Sequence, residues 1–263
     1  MSGDEALFTL VSVALGVVFW GFLLAPILLT DVRLRRGVML SALLILLPLV
    51  SAVVVYPVLA TLAARDVRNS PLYTAVYMGA GFGWVGLCMI LLRLFTLHTV
   101  DMVTQFSPAS VLVMFFSTIA FSLAYAGGNI GDGPGWWVVI ASAVLSSGTV
   151  FFVLILSALV GRGLYRVTVD QDVGVALRLS GALVAAGLIA GRGVAGTWTN
   201  QEALVRDWVT ISWPVVIIAV FDAVLTKLVS RPDRPWPAFF DAIIAVLYGI
   251  AAWLIVAHHG MPT

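Results

Sequence analysis

The chain has 263 residues, of which 61% are hydrophobic and 10% charged, and its formal net charge is +1. So few polar residues leave no room for a sizeable soluble domain, and the near-neutral balance argues against a nucleic-acid or acidic partner. The single cysteine, Cys88, excludes a disulfide framework and reads as a small buried packing residue.

A helix needs about 20 mostly apolar residues to cross a bilayer. Runs of that kind fall at 6–30, 38–64, 73–93, 108–127, 135–160, 173–194, 209–228 and 238–257. Within them the apolar stretches are continuous, as at 40–55 and 150–160, where a membrane barrel would alternate. Backbone polar groups in lipid must be satisfied within the segment, so the runs predict helices. The expected fold is all-α: a polytopic transmembrane bundle of about eight spanning helices, with the lipid bilayer as its main partner.

The first run follows Ser2, Gly3, Asp4 and Glu5, where a cleavable signal peptide would carry Lys or Arg, so it is expected to be retained. Pro26 falls in this run, Pro48 and Pro57 in the second, and Pro214 near the start of the seventh, each a site for a kink. The third run, 73–93, carries Gly79, Gly81, Gly83 and Gly86, and the sixth, 173–194, carries Gly174, Gly181, Gly187, Gly191 and Gly193. Gly79 with Gly83, and Gly187 with Gly191, have the spacing that lets helix backbones approach in lipid. These two helices are expected to be central or interfacial. A glycine-lined pore or hinge is the alternative.

Between the fourth and fifth runs lies Gly127-Gly128-Asn129-Ile130-Gly131-Asp132-Gly133-Pro134-Gly135, followed by Trp136 and Trp137. Glycine and proline suit a tight turn, and the tryptophans suit an interfacial anchor. Asn129 and Asp132 are the candidates there for holding a cation or polar ligand. The turn carries no Gly-Lys-Ser or Gly-Lys-Thr, which excludes a P-loop.

Charges inside a membrane helix are costly and ask for a reason. Arg178 lies five residues into the sixth run and Asp222 about six from the end of the seventh. At 1.5 Å per residue both sit roughly 8–9 Å inside the same leaflet, on sequential antiparallel helices. They are expected to pair, with the shallower Asp241 able to join them. The pair reads either as structural or as a proton, ion or anion site. The outer segment 197–207, with Trp198, Asn200, Glu202, Arg206 and Asp207, suits an amphipathic stretch on the membrane surface, and Arg192 is expected to pair with Glu202 or Asp207.

Orientation follows from the basic residues. Arg33, Arg35, Arg36, Arg93, Arg162, Arg166, Lys227, Arg231 and Arg234 fall on one side, and Arg65, Arg68, Arg192 and Arg206 on the other. The first set is expected in the cytoplasm, with both termini outside. An internal echo between 75–86 and 177–187 divides the chain into helices 1–4 at 1–127 and helices 5–8 at 128–263, the unit of repetition being a helical hairpin. The echoed helices run in opposite directions, which does not fit a strictly parallel repeat.

Enzyme signatures are missing. The histidines are His98, His258 and His259, no cluster has metal-ligand spacing, and no nucleophile elbow or zinc-protease motif occurs. No catalytic residue, metal or cofactor is therefore expected.

The stretch 124–137, Ala-Tyr-Ala-Gly-Gly-Asn-Ile-Gly-Asp-Gly-Pro-Gly-Trp-Trp, together with 172–187 and its Asp172, Ala176, Arg178 and Gly181, resembles the YjfL-like bacterial inner-membrane family. The resemblance covers about residues 120–258. It implies repeated membrane hairpins, an inner-membrane location and a link to envelope stress and membrane organisation. It supplies no substrate or catalytic residue. The expected function is a non-enzymatic membrane component or accessory subunit, as a homo-oligomer or with a membrane-protein partner. The alternatives are a small channel or secondary transporter with its polar site at Arg178 and Asp222, and a membrane-embedded enzyme.

Overall fold

In the computed structural model, residues 3–29, 38–131, 136–229 and 237–260 are described. They form α1 (Gly3–Leu29), α2 (Val38–Ile45), α3 (Leu47–Thr61), α4 (Arg65–Arg68), α5 (Pro71–Leu91), α6 (Thr99–Thr104), α7 (Pro108–Gly127), α8 (Trp136–Leu156), α9 (Gly163–Thr168), α10 (Val173–Gly193), α11 (Gln201–Ser212), α12 (Pro214–Val229) and α13 (Ala238–His259). Among the described residues the only β-type pairing is an isolated bridge from Ala63 to Ile130 and Gly131. The chain is thus a helical bundle.

Among the described residues, six helices are long and apolar enough to cross a membrane, and two bent pairs raise the number to eight if each counts as one span. Both bends sit beside prolines. The α2–α3 pair turns by 41° around Leu46, with Pro48 at the start of α3, and the α11–α12 pair turns by 43° at Trp213, just before Pro214. Proline lacks the amide that would continue the preceding turn but suits the first turn of a new helix. Pro26 and Pro57 stay inside α1 and α3. The segment 201–207, expected within an amphipathic stretch on the membrane surface, is helical and forms the first half of α11. Asn200 starts it by accepting a hydrogen bond from the Ala203 amide at 2.9 Å.

The centre belongs to α7 and α10. About 72% of the apolar stretch of each is buried, against 17% in α1 and α13. Glycine sets how close these helices come. A Cβ on Gly187 would collide with the Ala120 carbonyl, one on Gly191 would lie 2.7 Å from the Leu123 carbonyl, and one on Gly127 would collide with Gly191. In the same way Gly83 meets the Ser12 carbonyl at 2.7 Å and Gly79 meets Val13 at 2.8 Å, which brings α5 against α1. Both glycine pairs are therefore spent on helix contacts within this chain, α10 centrally and α5 toward the edge.

Hydrogen bonds between helices complete the packing. Ser122 bonds Ser51 at 2.9 Å, Tyr125 donates to the Tyr77 carbonyl at 2.7 Å, Ser146 to the Ala124 carbonyl at 3.0 Å, and Trp84 to Ser147 at 3.0 Å. In lipid these buried polar groups have no water to turn to, so each bond fixes a register. One continuous apolar core runs from Trp20 on α1 to Ala252 on α13, with α7 and α10 packed across the boundary at 127/128. A smaller cluster of Val138, Val194, Trp198 and Leu204 joins α8, α10 and α11, with Trp137 against it.

Candidate functional site

Arg178, Asp222 and Asp241 come from three helices, α10, α12 and α13, and the fold brings them together. Among the described residues, Arg178 is the largest of the fully buried side chains. Its Nε donates to Asp222 Oδ1 at 2.8 Å, with side-chain exposures of 1% and 2%. One terminal nitrogen, Nη1, donates to Asp241 Oδ1. The other, Nη2, donates to the Thr226 hydroxyl at 2.5 Å. Thr226 is one turn beyond Asp222, and its hydroxyl donates to the Asp222 carbonyl at 2.8 Å. That bond leaves the hydroxyl lone pairs facing the guanidinium. Tyr248 on α13 places its hydroxyl 3.4 Å from Asp222 Oδ1.

Small residues make the space. Gly174, in the first turn of α10, lies where a Cβ would collide with Asp241 Oδ2, and Gly181 lets α13 approach at Ala245, whose Cα would sit 2.6 Å from a Cβ there. Beyond α8 the chain takes a five-residue π turn, Ser157–Gly161, and Gly161 packs on the Ala223 carbonyl of α12 at 2.7 Å from an added Cβ. The helix bearing Asp222 is thus held from both sides.

Chemically, the planar guanidinium is matched to acceptors at all three nitrogens. It cannot lose its proton, so it supplies a fixed positive charge between two carboxylates. Thr226 and Tyr248 were not singled out from sequence. Thr226 carried a signal in hindsight: it lies four residues after Asp222, on the same helix face.

The other sequence candidates lie elsewhere. Asn129 is buried at the end of α7, where its Nδ2 donates to the Tyr125 carbonyl at 2.8 Å while Oδ1 is buried with no hydrogen-bond partner. Asp132 lies outside the described residues. Arg192 does not reach Glu202 or Asp207. It caps the end of α13 instead, donating to the carbonyls of Gly260 and of His259, the latter at 3.0 Å, because that helix end presents unsatisfied carbonyls directly beside it. Arg206 and Asp207 form an exposed neighbouring pair at 3.5 Å. No group of three or more His, Cys, Asp or Glu able to hold a metal occurs among the described residues.

A crevice of about 580 Å³ opens on the face that carries Arg93, Arg162 and Arg166. Thr96, His98, Asp101, Gln105 and Thr168 line it, with Leu94, Tyr165 and Val169 at the apolar side. Three residues around it, Thr96, Phe106 and Arg162, have left-handed backbones with φ of 64°, 54° and 53°. Sequence gave no sign of this grouping, because its walls come from three separate connections. The chain matches no protein-family model, no curated protein and no solved structure.

Proposed function

We propose that the chain is a non-enzymatic component of the bacterial inner membrane in which the Arg178 cluster ties α10, α12 and α13 together. The observation that carries this reading is saturation: each of the three guanidinium nitrogens already has an acceptor within the protein. A group so engaged serves the fold before it serves a substrate. The resemblance to the YjfL-like family supports the same location and a role in envelope organisation. In that orientation the face with Arg93, Arg162 and Arg166 is cytoplasmic, and both termini lie outside. The glycine faces of α5 and α10 are used internally, so a homo-oligomer or a membrane-protein partner would meet the lipid-facing sides of α1 or α13.

The test combines abundance with survival under envelope stress in a host lacking the protein. Removing one partner of a buried ion cluster costs on the order of 3–5 kcal/mol, whereas replacing all partners by apolar groups is often near neutral. Arg178→Leu, which leaves two carboxylates buried without their cation, should therefore lower abundance. Arg178→Leu combined with Asp222→Ala and Asp241→Ala should restore much of it, and survival should follow abundance. A second reading, a small channel or transporter, is favoured by the two carboxylates that share one guanidinium. On that reading the neutral triple variant is abundant and still inactive.

A further inference from the structure

Two carboxylates and one guanidinium leave this cluster one positive charge short. The side chains of Arg178, Asp222 and Asp241 are 1%, 2% and 5% exposed, so water does little to compensate the excess anion. An unbalanced charge at such a site, within helices that cross a membrane, is costly enough that a cation must accompany it. Among the described residues, the groups that face the cluster supply none. From α10 comes Arg178, from α12 Asp222 and Thr226, from α13 Asp241 and Tyr248, and the residue capping α10 is another acid, Asp172.

We propose that the cluster is a proton-binding site: one proton is shared by the Asp222 and Asp241 carboxylates and exchanges with the face that carries Arg162 and Arg166. The guanidinium cannot accept or release it, so the proton belongs to the carboxylate pair as a unit. A bound monovalent metal ion is the poorer fit. Asp222 Oδ1 and Asp241 Oδ1 are already taken by Arg178, and a metal ion would need several further oxygens around it. The exchange route runs along Asp241. It stands in the first turn of α13, with Oδ2 turned to Gly174 in the first turn of α10, and Asp172 caps that same helix end. Any larger side chain at position 174 would occupy the space beside that oxygen.

The proposal rests on the cluster being a buried ionic tie, but its test reads the proton and not the stability. The full-length protein, labelled with carboxyl-13C aspartate, is purified in an ester-free detergent and examined by infrared spectroscopy. At neutral pH the wild type should show an isotope-shifted carbonyl stretch of a protonated carboxylic acid, and alkaline buffer should remove it. Asp222→Asn and Asp241→Asn should each abolish the band, because one carboxylate then balances one guanidinium. Arg178→Gln should roughly double it, since two carboxylates without a cation both take protons. No band in the wild type, or a band that survives in both single variants, overturns the proposal. So does a wild type without the band whose thermal stability rises with sodium, which would place a metal ion where the proton is assigned. If the band behaves as expected while the neutral triple variant remains unstable, the tie reading fails and the proton site stands.

Discussion

Gln171 occupies backbone space that suits glycine. Its φ is 53°, and the side chain plays no part in the cap that Asp172 places on the Val175 amide at 3.0 Å. A left-handed backbone costs an L-residue about 1–2 kcal/mol because Cβ crowds the following carbonyl. Gln171→Gly should therefore raise stability by up to about 1 kcal/mol, part of the relief being offset by the greater freedom of glycine in the unfolded chain. Gln171→Val should lower it by at least that much, since a β-branched side chain is the worst fit there. Thermal unfolding in detergent measures both, and equal effects would show that φ does not govern this turn. Arg178 illustrates the same scale differently. Its depth and that of Asp222 could be reckoned along two antiparallel helices from the sequence. Thr226 and Tyr248 could not, because a neutral hydroxyl in an apolar helix looks alike whether it serves its own backbone or a neighbour's charge.

Between helices, the distance of approach is the controlling quantity, and two glycines at the extremes make a clean comparison. A Cβ at position 187 would strike the Ala120 carbonyl, which belongs to a backbone that can yield only if α7 shifts as a whole. At position 249 nothing lies within 4 Å. Gly187→Ala should cost about 1–3 kcal/mol, the usual range for forcing atoms into a filled core. Gly249→Ala should instead add about 0.5–1 kcal/mol by restricting the unfolded chain inside a helix. Unfolding midpoints of the two variants should move in opposite directions, and Gly187→Leu should disrupt folding more than Leu188→Ala. If both alanine variants shift alike, α7 and α10 are not in backbone contact. Glycine spacing was legible in the sequence as a mark of close packing, but the partner was not. Four-residue spacing serves any helix that can reach it, so Gly79 and Gly83 met α1 while Gly187 and Gly191 met α7. The bends were partly legible from Pro48 and Pro214. The helix α11 was only partly legible, because its charged residues, Glu202, Arg206 and Asp207, read as a surface stretch that ends where the apolar run begins, whereas they lie on one helix with Val209 and Ile211.

Across the whole molecule, the helices long and apolar enough to span were legible because length and apolarity are local properties, while the pairing of connections is not. The connections nevertheless sort into two ends. Ala63 bridges to Ile130, Gly131 packs on Gly196, and Arg192 reaches Gly260 at one end. At the other, Thr96 meets Thr168 at 3.5 Å and Ser110 reaches the Val167 carbonyl at 3.3 Å. From the end of α10 the chain runs away through the α11–α12 pair and returns through α13, which brings Gly260 back beside Arg192. Basic residues favour the cytoplasm in short connections, so the proposed orientation has the end with Arg93, Arg162 and Arg166 inward. Val169 and Glu202 are exposed at opposite ends and can report on this assignment. In a Cys88→Ala background, Glu202→Cys should react in intact cells with a membrane-impermeant thiol reagent, and Val169→Cys only after the membrane is opened. The reverse pattern would invert the orientation and turn the Asp241 side of the buried cluster outward. Reaction of both residues in intact cells would mean that the chain between them, α10 included, does not cross the membrane.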